Sequence, residues 1–322
     1  MRVVFMGSAP IAVPSLVHLH QHHDLRAVVT QPDKPKGRKR ELTPTAVKQE
    51  ALARGLEILE PRKLRAPEFV DRLRALDPEV IVVMAYGRLV PPEVLYLPPH
   101  GCINLHGSIL PEHRGPCPIE RGLLRGDPET GITTFYMAEG FDTGDVILTR
   151  PMPIGEDDTG GSLREKLSLL AAEVLEDTLR GISAGTAPRI PQDLTQGCHA
   201  PIITRDEARI DWSATASFID RLVRACEPEP GAHTVFRGQP IKVRRARPLA
   251  CAVSAPPGTV VTADREHGLQ VAVGQGGAVA LLEVQPSGKR WMSGPEFVAG
   301  YRPQTGERMG EVVPTVETGV QT

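Results

Sequence analysis

The chain has 322 residues, is 40% hydrophobic and 24% charged, and carries a formal net charge of −2, the composition of an ordinary globular protein. No apolar run approaches the roughly 20 residues of a membrane-spanning helix, and at about 150 residues per domain two domains are expected. Five scattered cysteines without a C-x-x-C pair argue against a disulfide framework or a cysteine-based zinc site, and the N-terminus enters an apolar strand directly; a cytoplasmic location is expected.

Taken in chain order, Val3–Met6, Ala27–Thr30 and Val80–Ala85 are apolar, β-branched runs bounded by turn residues, the pattern of buried parallel strands. Between them, Ala12–His20, Thr43–Arg54 and Pro67–Leu76 carry helical spacing. This alternation predicts an α/β fold with a Rossmann-like, doubly wound, mostly parallel sheet. Ile103–Leu105 reads as a further strand, followed by a loop and a helix near Pro118–Arg125; Ile132–Met137 and Val146–Thr149 read as two more strands. Ser162-Leu-Arg-Glu165 has the form of a capping box opening a helix that runs toward a stop at Gly181.

Residues 188–203 read as a linker, rich in proline and polar residues. Beyond it an amphipathic helix, Ala216–Cys226, precedes short alternating segments at Ala232–Phe236, Ile241–Ala246, Thr259–Thr262, Leu269–Val273 and Ala278–Glu283. Short strands with glycine turns predict a small, OB-like β-barrel. The division is therefore 1–187, a linker at 188–203, a barrel at 204–302 and a loose polar tail at 303–322.

The densest group of chemistry-bearing residues is Asn104-Leu-His106-Gly-Ser108-Ile109-Leu110-Pro111, with Arg114-Gly115 beyond it and Gly140-Phe-Asp142-Thr-Gly-Asp145 downstream. Asn104 and His106 stand two apart at the end of a predicted strand and so share one face. Strand ends in open α/β sheets are where ligands bind. An imidazole can move a proton, a carboxylate can orient it, and a carboxamide can donate to an oxyanion, which together suit acyl transfer. Taken singly, a strand-end His or a loop Asp more often fastens structure than reacts.

The wording of these segments resembles the 10-formyltetrahydrofolate-dependent formyltransferase family, in its methionyl-tRNA branch. The chain has NLHGSILPEHRG and GFDTGD where that family reads approximately N-[LVI]-H-x-S-L-L-P-x-x-R-G and G-x-D-T-G-D, with His106 and Asp142 separated by 142 − 106 = 36 positions. Similar wording continues through FMGSAPIAVPSL, QPDKPKGRKRELTPTAVK, VVMAYGRLVPPEVL, DDTGGSLREKL, EARIDWSATASFIDRLVRACEPEPGA and VQPSGKRWMSGPEFVAGYR, covering nearly all of residues 1–302.

The resemblance implies transfer of a formyl group from 10-formyltetrahydrofolate to the amine of initiator methionyl-tRNA through a tetrahedral intermediate, for translation initiation. His106 and Asn104 would hold the intermediate's oxygen, and Asp142 would position His106 and assist proton movement from amine to folate N10. Folate would lie against Met84, Ala85, Tyr86, Gly87, Arg88, Leu89 and Val90, and against Ser108, Ile109, Leu110 and Pro111. The donor is already activated, so no metal is implied, and a monomer is expected.

A second signal is the cationic loop Lys34, Lys36, Arg38, Lys39 and Arg40; a third is the stripe Lys242, Arg244, Arg245 and Arg247, extended by Lys289 and Arg290. A charge run is usually a solvated surface. Two patches in separate domains suit a long phosphate backbone better than a metabolite, and in the family the loop meets the acceptor end of the tRNA. Departures from the family pattern are Ile11 in place of Phe, Glu112 in place of a basic residue, Pro116-Cys117 in place of Ala-Ala, and Glu229 where Trp is common.

Other motifs lead elsewhere. Gly181-Ile-Ser183-Ala-Gly185 fits a hydrolase pattern but lacks the preceding strand of a nucleophile elbow. The run His18-Leu-His20-Gln-His22-His23 shows no evident carboxylate or cysteine partner at a metal-ligand spacing, so metal binding there reads as adventitious. Gly7-Ser-Ala-Pro lacks the glycines of a dinucleotide cradle. Two other readings remain: a sugar-nucleotide N-formyltransferase, opposed by the basic patches, and a non-catalytic RNA-binding relative, opposed by the intact Asn–His–Asp set.

Overall fold

In a computed structural model, residues 1–36 and 41–310 are described. The chain forms two units: Met1–Gly122 with Asp127–Gly155 and Ser162–Ile202, and Leu123–Gly126 with Glu156–Gly161 and the residues from Ile203 on. No helix among the described residues is long and apolar enough to cross a membrane.

The first part of the chain runs β1 (Arg2–Gly7), α1 (Val13–His22), β2 (Asp24–Val29), β3 (Lys34–Lys36), β4 (Glu41–Thr43), α2 (Ala46–Ala53), β5 (Ile58–Leu59), α3 (Pro67–Ala75), β6 (Val80–Met84), α4 (Pro92–Leu95), β7 (Cys102–His106), α5 (Pro118–Arg125), β8 (Glu129–Tyr136), β9 (Val146–Pro153) and α6 (Gly160–Ser183). Seven strands make one sheet in the order β5-β2-β1-β6-β7-β8-β9. Pairing from β5 to β7 is parallel and the last two strands are antiparallel. All five residues of β6, Val-Ile-Val-Val-Met, are buried, as a parallel strand covered on both faces requires.

The strand order turns back between β1 and β6, the crevice where ligands collect in such sheets. The loops leaving these strands are bound to each other there. The amides of Ser8 and Ala9 both donate to the Ala85 carbonyl, and the Ser8 hydroxyl and Gln31 amide donate to the Tyr86 carbonyl.

The second part contains α7 (Ala216–Ala225), β10 (His233–Phe236), β11 (Gln239–Leu249), β12 (Val260–Asp264), β13 (Gly268–Ala272), β14 (Ala278–Pro286), β15 (Met292–Ser293) and α8 (Gly294–Tyr301). Five strands pair antiparallel in the order β10-β11-β14-β13-β12, with β15 on β14. The edge strands are bridged by the segment 306–310. Val260 donates to the Glu307 carbonyl, Met309 to that of Gly258 and Gly310 to that of Val235. The stretch expected to be a loose tail is thus, over 303–310, a closing strand-like segment whose Met309 side chain is buried. Its own sequence is polar, so only the unpaired edges of β10 and β12 explain the closure. Residues 311–322 of that expected tail lie outside the described residues.

Three boundaries correct the sequence reading. Helix α6 begins at Gly160, so Ser162 lies inside its first turn rather than capping it. It ends at Ser183 and its stop is Gly185, not Gly181: Gly185 has φ +69°, its amide donates to the Ile182 carbonyl and that of Thr186 to the Gly181 carbonyl. That reciprocal pair needs a left-handed residue, which glycine adopts without strain. Residues 188–203 are not a free linker either. Ile190 exchanges backbone hydrogen bonds with Val146, and Ala200 and Cys198 pair with Arg114.

Candidate active site

β7 delivers Asn104 and His106 to one face of the sheet end, as their spacing requires. His106 is 6% exposed, and its Nε2 lies 2.9 Å from the His113 carbonyl oxygen. A carbonyl only accepts, so Nε2 carries the proton and Nδ1 is the position that can exchange one. Nδ1 faces Asp142 Oδ2 at 3.6 Å, and the Asn104 amide reaches Asp142 Oδ1 at 3.5 Å. One carboxylate therefore spans both the imidazole and the carboxamide.

Asp142 is over-determined. Its Oδ2 accepts from the Gly115 amide at 2.8 Å, and Gln192 donates to the carbonyls of Asp142 and Gly144 at 3.0 and 2.7 Å. The backbone at Asp142 is left-handed, φ +53°, a conformation that aspartate tolerates better than most side chains and that the bonds from Gln192 hold in place. Gly144 shows why this loop needs glycine: a Cβ there would stand 1.6 Å from the Tyr136 carbonyl oxygen. Gly115 and Gln192 were missed in the sequence reading. Gly115 stands within the quoted motif, whereas nothing marks Gln192, 50 residues beyond Asp142 in the presumed linker.

The residues expected to meet folate divide by side. Met84, Tyr86 and Val90 are buried in the core, while Ala85, Gly87 and Leu89 are exposed and Arg88 is half-buried. The 108–111 loop is tied from within: Ser108 donates to the Glu112 carbonyl at 2.6 Å, Thr133 to the Ser108 carbonyl, and the Leu110 amide to Thr133. Ser108 and Leu110 are buried; Ile109 and Pro111 are half-buried. Beside Arg88 and Leu89 opens a cleft of about 400 Å³ lined also by Arg62, Lys63, Leu64, Arg65 and Pro91. Three of its four cations, Arg62, Lys63 and Arg65, were not anticipated from the sequence.

Of the cationic loop, Lys34 bonds Gln31 and lies with Lys36 on β3, which pairs with β4; Arg38, Lys39 and Arg40 lie outside the described residues. On β11, strict alternation would put Lys242 and Arg245 on opposite faces. The register with β14 slips between Val243 and Ala246, and Lys242 before the slip, Arg245 within it and Arg247 beyond it are all exposed. Arg244 is drawn aside, paired with Glu283 and lying 4.8 Å over the Trp291 ring. Lys289 and Arg290 are exposed, with Arg290 on Glu296.

His18 and His23 both place Nε2 on Glu176 Oε2, at 2.9 and 3.0 Å. The carboxylate that these histidines share is not the adjacent Asp24 but Glu176 from α6, more than 150 positions away. Those two hydrogen bonds, that of His18 the stronger, outweigh burial and hold the Glu176 carboxyl down at about 2.

A carboxylate, an imidazole and a carboxamide gathered at the strand ends of a doubly wound sheet, joined to an antiparallel barrel, define a formyl transferase: the family described as "Formyl transferase" matches residues 1–179 and "Formyl transferase, C-terminal domain" matches residues 202–302. Within that class, the chain belongs to the methionyl-tRNA formyltransferase family. It is 45% identical over 301 residues to the methionyl-tRNA formyltransferase of Myxococcus xanthus, covering 94% of this chain and 95% of that one. It is 41% identical over 310 residues to that of Bacillus subtilis, covering 96% and 98%. Among solved structures, the fold is shared with WlaRD, described as a sugar 3N-formyl transferase, at TM-score 0.63 and 16% identity over 90% of this chain and 99% of that one. It is shared too with the methionyl-tRNA formyltransferase from Clostridium thermocellum, at TM-score 0.54 and 15% identity over 76% and 92%.

Proposed function

We propose that this chain transfers the formyl group of 10-formyltetrahydrofolate to the free amine of initiator methionyl-tRNA. The observation that carries the chemistry is the Asp142 carboxylate reaching both Asn104 and His106. Asp142, held by the Gly115 amide, orients His106 and receives the proton that the attacking amine sheds. His106, with Nε2–H given to the His113 carbonyl, uses Nδ1 to pass a proton toward the departing N10. Asn104 donates to the oxygen that gains charge as the C–N bond forms. Its 3.5 Å contact with Asp142 is long and exchanges readily for a charge-assisted bond to an oxyanion. The new bond joins amine nitrogen to formyl carbon, the carbon–N10 bond breaks, and the amine's proton ends on N10.

The donor's ring system lies along the exposed backbone of Ala85, Gly87 and Leu89 and against Ile109 and Pro111. Its glutamate carboxylates enter the cleft of Arg62, Lys63, Arg65 and Arg88, whose charge fits them. The tRNA backbone follows Lys34, Lys36 and the loop beyond, and the exposed Lys242, Arg245 and Arg247. Incubation with labelled 10-formyltetrahydrofolate, offering methionyl-tRNA and an amino-sugar nucleotide in parallel, tests the reading. Label is expected on methionyl-tRNA; label on the sugar alone would establish the other acceptor.

A further inference from the structure

A second cluster of polar side chains lies beside the reaction centre, and these side chains take no part in the scheme above, which uses only the His113 carbonyl. His113 Nδ1 is 3.3 Å from Cys198 Sγ, and Sγ is 3.5 Å from Glu112 Oε2. The three ligand-type atoms all lie within 4.8 Å of one another. On the far side of the ring, His113 Nε2 is 2.6 Å from Asp127 Oδ2. From these contacts we propose that Glu112, His113 and Cys198 form a binding site for a borderline-soft divalent metal of the zinc class.

Three features argue for it. The two edges at sulfur match the ion's polyhedron: with Zn–S near 2.3 Å and Zn–N or Zn–O near 2.0–2.1 Å in a tetrahedron, S···N and S···O come to roughly 3.5–3.6 Å, against 3.3 and 3.5 Å here. The tautomer is preset. Asp127 accepts from Nε2–H, which leaves the Nδ1 lone pair directed at the thiol, the carboxylate–histidine arrangement that accompanies metal-ligating imidazoles. The charges balance, since the Cys198 thiol loses its proton to solvent on binding, and thiolate plus carboxylate neutralise a dication. His113 is 5% exposed, so this balance is struck largely away from water.

The same atoms also resemble a thiol–imidazole–carboxylate relay for nucleophilic catalysis. Glu112 sets the two readings apart: it stands 3.5 Å from Sγ as a third ligand-type group, which a thiol–imidazole–carboxylate relay does not need and a metal site does. A metal here would clamp the 108–115 loop to the 192–200 segment. It would do so at the residue whose carbonyl receives His106.

Cobalt(II) titration of the reduced full-length chain is the test, because only a thiolate ligand gives a sulfur-to-cobalt charge-transfer band in the near ultraviolet. The expected result is a band saturating at one equivalent and bleached by zinc. It should vanish in Cys198→Ser and persist in Cys251→Ser and in Glu176→Gln, which disables the sulfur-free His18–His23–Glu176 cluster. Glu112→Gln and Asp127→Asn keep the thiol, and the latter should weaken the metal about 10–100-fold. A band absent from the unaltered chain, a band surviving Cys198→Ser, or affinity untouched by Glu112→Gln would each overturn the proposal. So would rapid alkylation of Cys198 that zinc does not slow.

Discussion

The strand-end site and the exposed strand β11 are both polar, yet they are built by opposite rules. At the strand ends every group is held: Asp142 by Gly115, its loop by Gln192, and His106 by the His113 carbonyl. On β11 the cations Lys242, Arg245 and Arg247 are exposed, Arg245 only loosely paired with Glu283 at 3.8 Å, and the more tightly fastened cation, Arg244, is half-buried beside the same Glu283. The difference follows from what each must do. Chemistry on one carbon needs atoms fixed within tenths of an ångström, whereas a phosphate backbone is held by charge at adjustable distance.

That contrast makes separable predictions. Substituting His106→Ala should lower kcat by about 10²-fold or more. It should also cost roughly 1–3 kcal/mol of stability, because the buried His113 carbonyl loses its donor; calorimetry beside steady-state assays reads both. Neutralising Lys242, Arg245 and Arg247 should leave kcat unchanged and raise KM for tRNA, reducing the log–log salt slope by about three. A fall in kcat with KM intact would erase the distinction between the two regions.

Two smaller effects concern the scaffold alone. Glu176 has its carboxyl depressed to about 2, chiefly by the hydrogen bond from His18. A depressed acid contributes stability that is complete above its unfolded value near 4.5 and is lost as pH falls toward 2. Glu176→Gln should therefore flatten acid unfolding in that window and leave neutral kinetics alone. Least of all, Ser293→Ala removes a capping box at α8 and should cost about 1 kcal/mol in denaturant melts.

How much of this was legible depends on whether the cause was local. The α/β alternation, the strand bearing Asn104 and His106, and the barrel strands follow from periodicity, which is local. Ser162 and Ser293 show the limit of a motif. The first has the S-x-x-E spelling without the cap, because Gly160 and Gly161 extend the helix; the second is a true cap that was passed over. The roles of Gln192, Cys198 and Ile190 could not be read, because their partners lie some 40 to 90 positions away and their own segment is aperiodic. The basic stripe was picked out by charge alone, yet the joint exposure of Lys242, Arg245 and Arg247 depends on a register slip that only pairing with β14 reveals.

The central claim, that Asp142 and His106 act as one device on a single carbonyl, is tested most directly by kcat for His106→Ala, Asp142→Ala and the double variant under saturating substrates. Groups acting as a unit should make the double variant no slower than the worse single one. Losses that multiply, or either single variant turning over at the unaltered rate, would contradict it.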